Sequence, residues 1–474
     1  MPFRSEQDPL GPVDVPIEAY YGAQTVRALG NFPISGLKAP LALVSATVLI
    51  KKAAATANAA LDRLEPDTAR AITTAADEIL AGALLDQFVV DVYQAGAGTS
   101  HNMNVNEVLA NRAAELLGGR RGVYDLVHPN DHVNMGQSTN DVFPTATRLA
   151  LLNEHARLVQ AARNLASSLD RASVRFAAVL KVGRTHLQDA VPITLGQEFS
   201  GYAACVAAAV EDLEYASTRL LELNIGATAV GTGLNAGDDY TQRVTGTLRT
   251  LTGLDVRPAA NPFRVTQSMG DVAGYSGAMR RLSVELSKIA NDLRLLSMGP
   301  RAGLAEIRLP AVQPGSSIMP GKVNPSIPEM VNQVCYQALG CDLTVSAAAE
   351  AGQLELNVMM PVIAWNALHT SRILREAMRM LATRCVDGIE ADDARCLELL
   401  ERSTAVATAL SPHIGYARTA DIAKAAVETG RTIRELVLER GLLAPEQLDV
   451  ILSPGRMTRP GIIGDVVGDQ EPSS

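Results

Sequence analysis

One row of apolar residues constrains this chain more than anything else in it: Val272, Tyr275, Met279, Leu282, Leu286, Ile289, Leu293 and Leu296. The steps alternate between three and four residues without a miss, so the whole row falls on a single stripe of an α-helix. A helix over that span is roughly 37 Å long at 1.5 Å per residue. Phe199, Ala203, Val206, Val210 and Leu213 repeat the pattern. So do Leu151, Leu158, Leu165, Leu169, Phe176 and Val179, with small or polar residues at the intervening positions. Long helices with one apolar stripe bury it against each other, which predicts a helical bundle. Composition agrees: hydrophobic residues reach 47% while aromatics are only 4%. Alanine and leucine therefore supply most of the apolar surface, which suits close helix packing within and between subunits. At 474 residues the chain exceeds one ordinary domain and can bury a large core.

Several partner classes are disfavoured. A net charge of −9 and a pI near 5.4 argue against nonspecific nucleic-acid or anionic-membrane binding. The N-terminus, Met1-Pro2-Phe3-Arg4-Ser5-Glu6, lacks the apolar core of a signal peptide. The apolar run from Leu41 to Ile50 is broken by Ser45 and Thr47 and stops at Lys51 and Lys52, so no membrane span is expected. Cys205, Cys335, Cys341, Cys385 and Cys396 are odd in number and contain no Cys-x-x-Cys pair. They read as reduced core thiols of a cytoplasmic protein.

Taken in order, the first forty residues are rich in Pro and Gly and read as an extended lead-in. Helices are expected from Leu41 and from Glu65-Pro66-Asp67. Gly96-Ala97-Gly98-Thr99-Ser100 is a turn opening a helix that ends near Arg112, and free N–H groups there could meet an anion. His128 and His132 would suit a metal only on a helix, and Pro129 with its turn-forming neighbours argues against one. Ser138-Thr139-Asn140 stands just before a helix, where capping needs only one such residue. Thr185-His186 lies in a short segment between two long helices, where a lone His is more often a structural hydrogen-bonder than a catalyst. Glu350-Ala351-Gly352-Gln353-Leu354 leads toward a helix begun or bent at Pro361. Past Cys396 the pattern changes to short amphipathic helices such as Thr432 to Leu442, and the tail after Pro460 is expected to fray.

The remaining punctuation is Gly315-Ser316-Ser317-Ile318-Met319-Pro320-Gly321-Lys322-Val323-Asn324-Pro325. Two glycines and two prolines exclude helix or regular strand, leaving a shaped loop with two hydroxyls, one cation and one amide. Ser326-Ile327-Pro328-Glu329 fits a capping box for the helix that follows. By itself such a loop is more often a surface turn than a site. Together with Thr99/Ser100, Ser138/Thr139/Asn140 and Thr185/His186, it offers many neutral donors, one lysine and one histidine, with little fixed negative charge. That inventory suits a small dianion. It does not suit a phosphate with magnesium, and no Ser-His-Asp triad is readable. No metal or cofactor is expected.

These four clusters resemble the aspartase/fumarase superfamily, with Gly315–Pro325 as the most specific match and the likeness running from about Asp14 to Gly464. Val90-Asp91-Val92-Tyr93-Gln94-Ala95-Gly96-Ala97-Gly98-Thr99-Ser100 and Glu350–Leu354 look more like the aspartate-deaminating branch than the fumarate-hydrating one. Met360 departs from that branch, which usually carries an acidic residue there. The resemblance implies an all-α, three-domain fold: an N-terminal domain 1–140, a central long-helix bundle 141–395 and a small C-terminal helical domain 396–474. It implies a homotetramer whose active sites are shared by three subunits, acting on a small dicarboxylate. By similarity, Ser316 is the base; Thr99, Ser138, Thr139 and Ser317 hold the β-carboxylate. Asn140 and His186 meet the amino group, while Thr185, Lys322 and Asn324 take the α-carboxylate. Glu329 either orients His186 or serves the capping box.

Overall fold

The computed structural model describes residues 2–463; the tail expected to fray lies, from 464 on, outside the described residues. The fold is helical, with four small two-stranded sheets. The long seams are helices where the periodicity placed them: Thr139–Arg175, Leu195–Ser217 and Gly270–Leu296. Every residue of the Val272–Leu296 row is buried. The first of these helices stops at Arg175, short of Phe176 and Val179, although both of those side chains are still buried.

By contacts, the chain forms two compact units. The first comprises residues 1–161, 209–284 and 333–376. Its N-terminal part is not an extended lead-in. Phe3–Asp8 and Gly11–Pro16 pair as an antiparallel hairpin, and Ala23–Asn31 is a helix. The start of that helix lacks a cap of its own. Glu107, buried on the helix Thr99–Leu116, accepts from the N–H groups of Gly22 and Gln24 and from the Thr25 hydroxyl at 2.6–2.9 Å. The helix Leu41–Ala60 packs against Pro66–Leu80 and Tyr240–Thr252. It is apolar and long enough to cross a membrane, but twelve of its twenty residues are buried in the protein, so it is a core helix. Val48, Ile72, Val105 and Leu109 centre that core. The His128–His132 segment is a single wide helical turn, Pro129–Val133, where no helix was expected. Its histidines serve the turn itself: His128 Nδ1 accepts from the Asn130 N–H, and His132 Nδ1 from the His128 N–H.

The second unit comprises 162–208, 285–332 and 377–474. The segment around His186 is an antiparallel hairpin, Leu180–Thr185 with Gln188–Thr194, and the helix Asp393–Arg402 packs on its first strand. The C-terminal helices have a separate small core built on Leu410, Ile422, Leu436, Val437 and Leu448. Within it the helix Ile433–Glu439 is closed by a Thr432/Glu435 capping box. Burial pushes the Cys335, Cys385 and Cys396 thiols up to about 12. Cys205 departs from the core assignment: it is exposed.

Candidate active site

Thr99, Ser138, Thr139 and Asn140 belong to the first unit. Thr99 is exposed at the first position of the helix Thr99–Leu116, after Ala97 and Gly98 at φ 60° and 86°. Position 98 needs glycine twice over. Its φ lies in the left-handed region, and a Cβ there would come within 2.1 Å of the Phe143 ring.

Ser138–Asn140 opens the helix Thr139–Arg175. The Ser138 hydroxyl does act as a cap, accepting the Asn140 N–H at 3.2 Å. Thr139 and Asn140 are held otherwise. Asn102 donates to the Thr139 hydroxyl at 3.1 Å, and the Asn140 amide donates to the Ala229 carbonyl at 2.8 Å. Behind them lies a polar network that the sequence reading missed. Lys51 is fully buried and donates to Asn134 Oδ1 at 2.8 Å and Gln137 Oε1 at 2.9 Å. Asn134 Oδ1 also accepts from Asn102 and Asn106. Asp141 accepts the N–H groups of Ser138, Gly226 and Thr228 at 2.9–3.0 Å. Burial pushes the Lys51 ammonium down to about 7 and the Asp141 carboxyl up to about 7, each opposed by the charge of the other. The one sequence signal for this network was a lysine pair closing an apolar run, which was read only as the end of that run.

Thr185, His186, Ser316, Ser317, Lys322, Asn324 and Glu329 belong to the second unit. His186 and Leu187 form the two-residue turn of the hairpin, with φ 54° and 58°. Such turns favour Asn-Gly, because both positions are left-handed. A histidine and a leucine there are strained, and both are exposed.

The Gly315–Pro325 loop is irregular throughout, as its composition requires. It closes on itself at its root. The Gly315 N–H donates to the Lys322 carbonyl at 2.9 Å, and the Asn324 amide donates to the Gly315 carbonyl at 2.6 Å. A Cβ on residue 315 would lie 2.2 Å from the Lys322 oxygen, so this closure requires glycine. Ser316 Oγ accepts two backbone N–H groups, from Ile318 at 3.2 Å and Met319 at 3.0 Å. Ser317 and Lys322 are exposed. Lys322, Asn324 and Glu329 line one cavity of about 490 Å³ together with Asn291, Arg294 and Ser297. No residue of the His186 turn lines it. The expected capping box does not form: Ser326 gives its N–H to the Asn324 carbonyl at 2.8 Å, and the Glu329 N–H goes to the Pro325 carbonyl. The helix simply begins at Ser326, which leaves the Glu329 carboxylate free of that duty. Met360 is fully buried at the start of the helix Met360–Arg384.

A family model described as "Lyase" matches residues 11–340, and one described as "Fumarase C C-terminus" matches 406–459. An aspartate ammonia-lyase of Bacillus sp is 48% identical over 461 residues, covering 97% of this chain and 98% of that protein. A class II fumarate hydratase of Thermosynechococcus vestitus is also 48% identical, covering 94% and 96%. The crystal structure of a Brucella melitensis fumarate lyase:delta crystallin, bound to cobalt, superposes with a TM-score of 0.93 at 52% identity, over 97% of this chain and all of that one. The fold and the match along most of the chain define a lyase. The chain belongs to the aspartase/fumarase superfamily.

Proposed function

We propose that this lyase removes ammonia reversibly from L-aspartate to give fumarate. The reaction takes a proton from the carbon beside the β-carboxylate, a very weak acid. Its carbanion becomes accessible only as an aci-carboxylate, with extra negative charge on the carboxylate oxygens. Donors aimed at those oxygens favour that intermediate over substrate, each worth typically ~3–4 kcal/mol. The hydroxyls of Thr99, Ser138, Thr139 and Ser317 supply such donors, while Asn140 and His186 meet the amino group and Thr185, Lys322 and Asn324 take the α-carboxylate.

The observation that carries the reading is the environment of Ser316. A serine hydroxyl is far too weak an acid to serve as a base unless its alkoxide is stabilised. Here Oγ already accepts two backbone N–H groups, from Ile318 and Met319, and Lys322 stands on the same loop. Those donors favour the ionised oxygen over the neutral one. The exposed Tyr215, Val284, Tyr336 and Leu343 along the long helices support a homotetramer, in which sites are completed by residues of several subunits.

A second reading, hydration of fumarate to malate, has its own support in the 48% identity to a fumarate hydratase and in Met360. Both reactions share the aci-carboxylate and the serine base. Purified protein given L-aspartate or L-malate separates them by fumarate absorbance. Aspartate turnover is expected; turnover of malate alone would replace the first reading with the second.

A further inference from the structure

The hairpin that carries Thr185 and His186 is rooted in a buried ion cluster with no part in the chemistry above. Glu306 is fully buried, with Oε2 at 2.9 Å from Lys181 Nζ and Oε1 at 2.9 Å from Arg184 Nη1. Lys181, also buried, reaches Glu198 Oε2 at 2.7 Å. Two carboxylates and two cations make the cluster neutral, the condition under which buried charge is tolerated. Glu306 is itself fixed through its backbone. Its N–H donates to the Leu296 carbonyl and its carbonyl accepts the Asp392 N–H, both at 2.9 Å. Arg395 holds the carbonyls of Gly303 and Leu304 just before it.

Residues three apart on a regular strand point to opposite faces. Lys181 and Arg184 nevertheless reach one carboxylate, across a point where the pairing register shifts between Val182 and Arg184. Such a bulge bends and twists a hairpin. It also requires Gly183, where a Cβ would lie 2.8 Å from the Val191 carbonyl. Arg184 is the last residue before Thr185 and the left-handed pair His186–Leu187. A strained, exposed turn keeps its geometry only if its surroundings hold it; at its root Val182 packs on Leu400 and Ala405, and Glu306 is the buried carboxylate between Lys181 and Arg184.

We propose that Glu306 is a positioning residue, which grips Lys181 and Arg184 and so fixes the aim of the Thr185–His186 turn toward substrate. This rests on the reading that the turn meets the substrate, but it can be tested with and without activity. Glu306→Gln and Arg184→Met each remove one arm of the grip; Arg184 is partly exposed, so its variant serves if the first fails to fold. In full-length protein, hydrogen exchange at the amides of Lys181–Thr185 and Gln188–Thr194 is expected to speed up at least tenfold in either variant. Exchange in the helix Gly270–Leu296 stays unchanged. With L-aspartate, kcat/KM falls at least tenfold, and in a Thr185→Val/His186→Ala background the same substitution costs less than twofold, because Glu306 acts through those two residues. Unchanged exchange in the hairpin, or a tenfold loss that persists without Thr185 and His186, would overturn the proposal. A parent enzyme inactive on L-aspartate would sink the functional reading alone, and the exchange result would still decide this one.

Discussion

The candidate residues of the two units are held in opposite ways. Ser138–Asn140 rests on a buried polar network, with Lys51, Asn102, Asn134, Gln137 and Asp141 beneath it and hydrogen bonds in several directions. The Gly315–Pro325 loop is mostly exposed and is tied to itself, at its root through Gly315, Lys322 and Asn324 and at its tip through Ser316. A binding surface gains from groups fixed before substrate arrives. A base that needs an unusual ionisation gains from a segment that closes over substrate and excludes water. The comparison teaches that damage around Ser138–Asn140 should appear as lost stability, and damage to the loop as lost turnover.

Four substitutions or titrations can break that division, the largest effect first. Ser316→Ala should lower kcat by roughly 10²–10⁴-fold, the usual worth of a positioned base, without lowering the melting temperature. Near-normal activity would remove the base assignment. Gly98→Ala should act on the other side. It forces a left-handed alanine against the Phe143 ring, costing about 4 kcal/mol of unfolding free energy, which denaturant titration would show.

The third test is a pH titration. His101 is fully buried, bonded to the Thr47 hydroxyl, and pushed by burial down to about 4. It is neutral when folded at any pH above that, whereas unfolded His101 takes up a proton below about 6.5. Its contribution is therefore complete above pH 6.5 and lost as the pH falls toward 4, on the order of 3 kcal/mol. His101→Gln should flatten that part of the stability–pH curve; an unchanged slope would assign the loss elsewhere. The smallest effect is that of Gly315→Ala. It opens the root of the loop by moving the Lys322 carbonyl, and should cost roughly ten- to a hundredfold in kcat at unchanged stability.

What could be read from the sequence follows from how local each signal is. The Val272–Leu296 seam was legible because a helix repeats every 3.6 residues, whatever it packs against. The loop was legible because Gly and Pro act on their own backbone. The hairpin at 180–194 was not, since its turn is His186-Leu187 and carries none of the Asn-Gly chemistry that marks such turns. The N-terminal hairpin was hidden for a related reason: its prolines and glycine resemble those of a linker. Lys51 and Asp141 were not assigned because their network joins segments far apart in the chain, and no spacing rule connects them. Glu329 shows the reverse error, a motif that matched a capping box although the helix started one residue too early to use it.

The most direct test is a crystal structure of the protein holding a non-reactive dicarboxylate with the Gly315–Pro325 segment folded over it. The account predicts Ser316 Oγ within about 3–3.5 Å of the carbon that loses its proton, a near-attack distance. A closed segment that left Ser316 well outside that reach would contradict it.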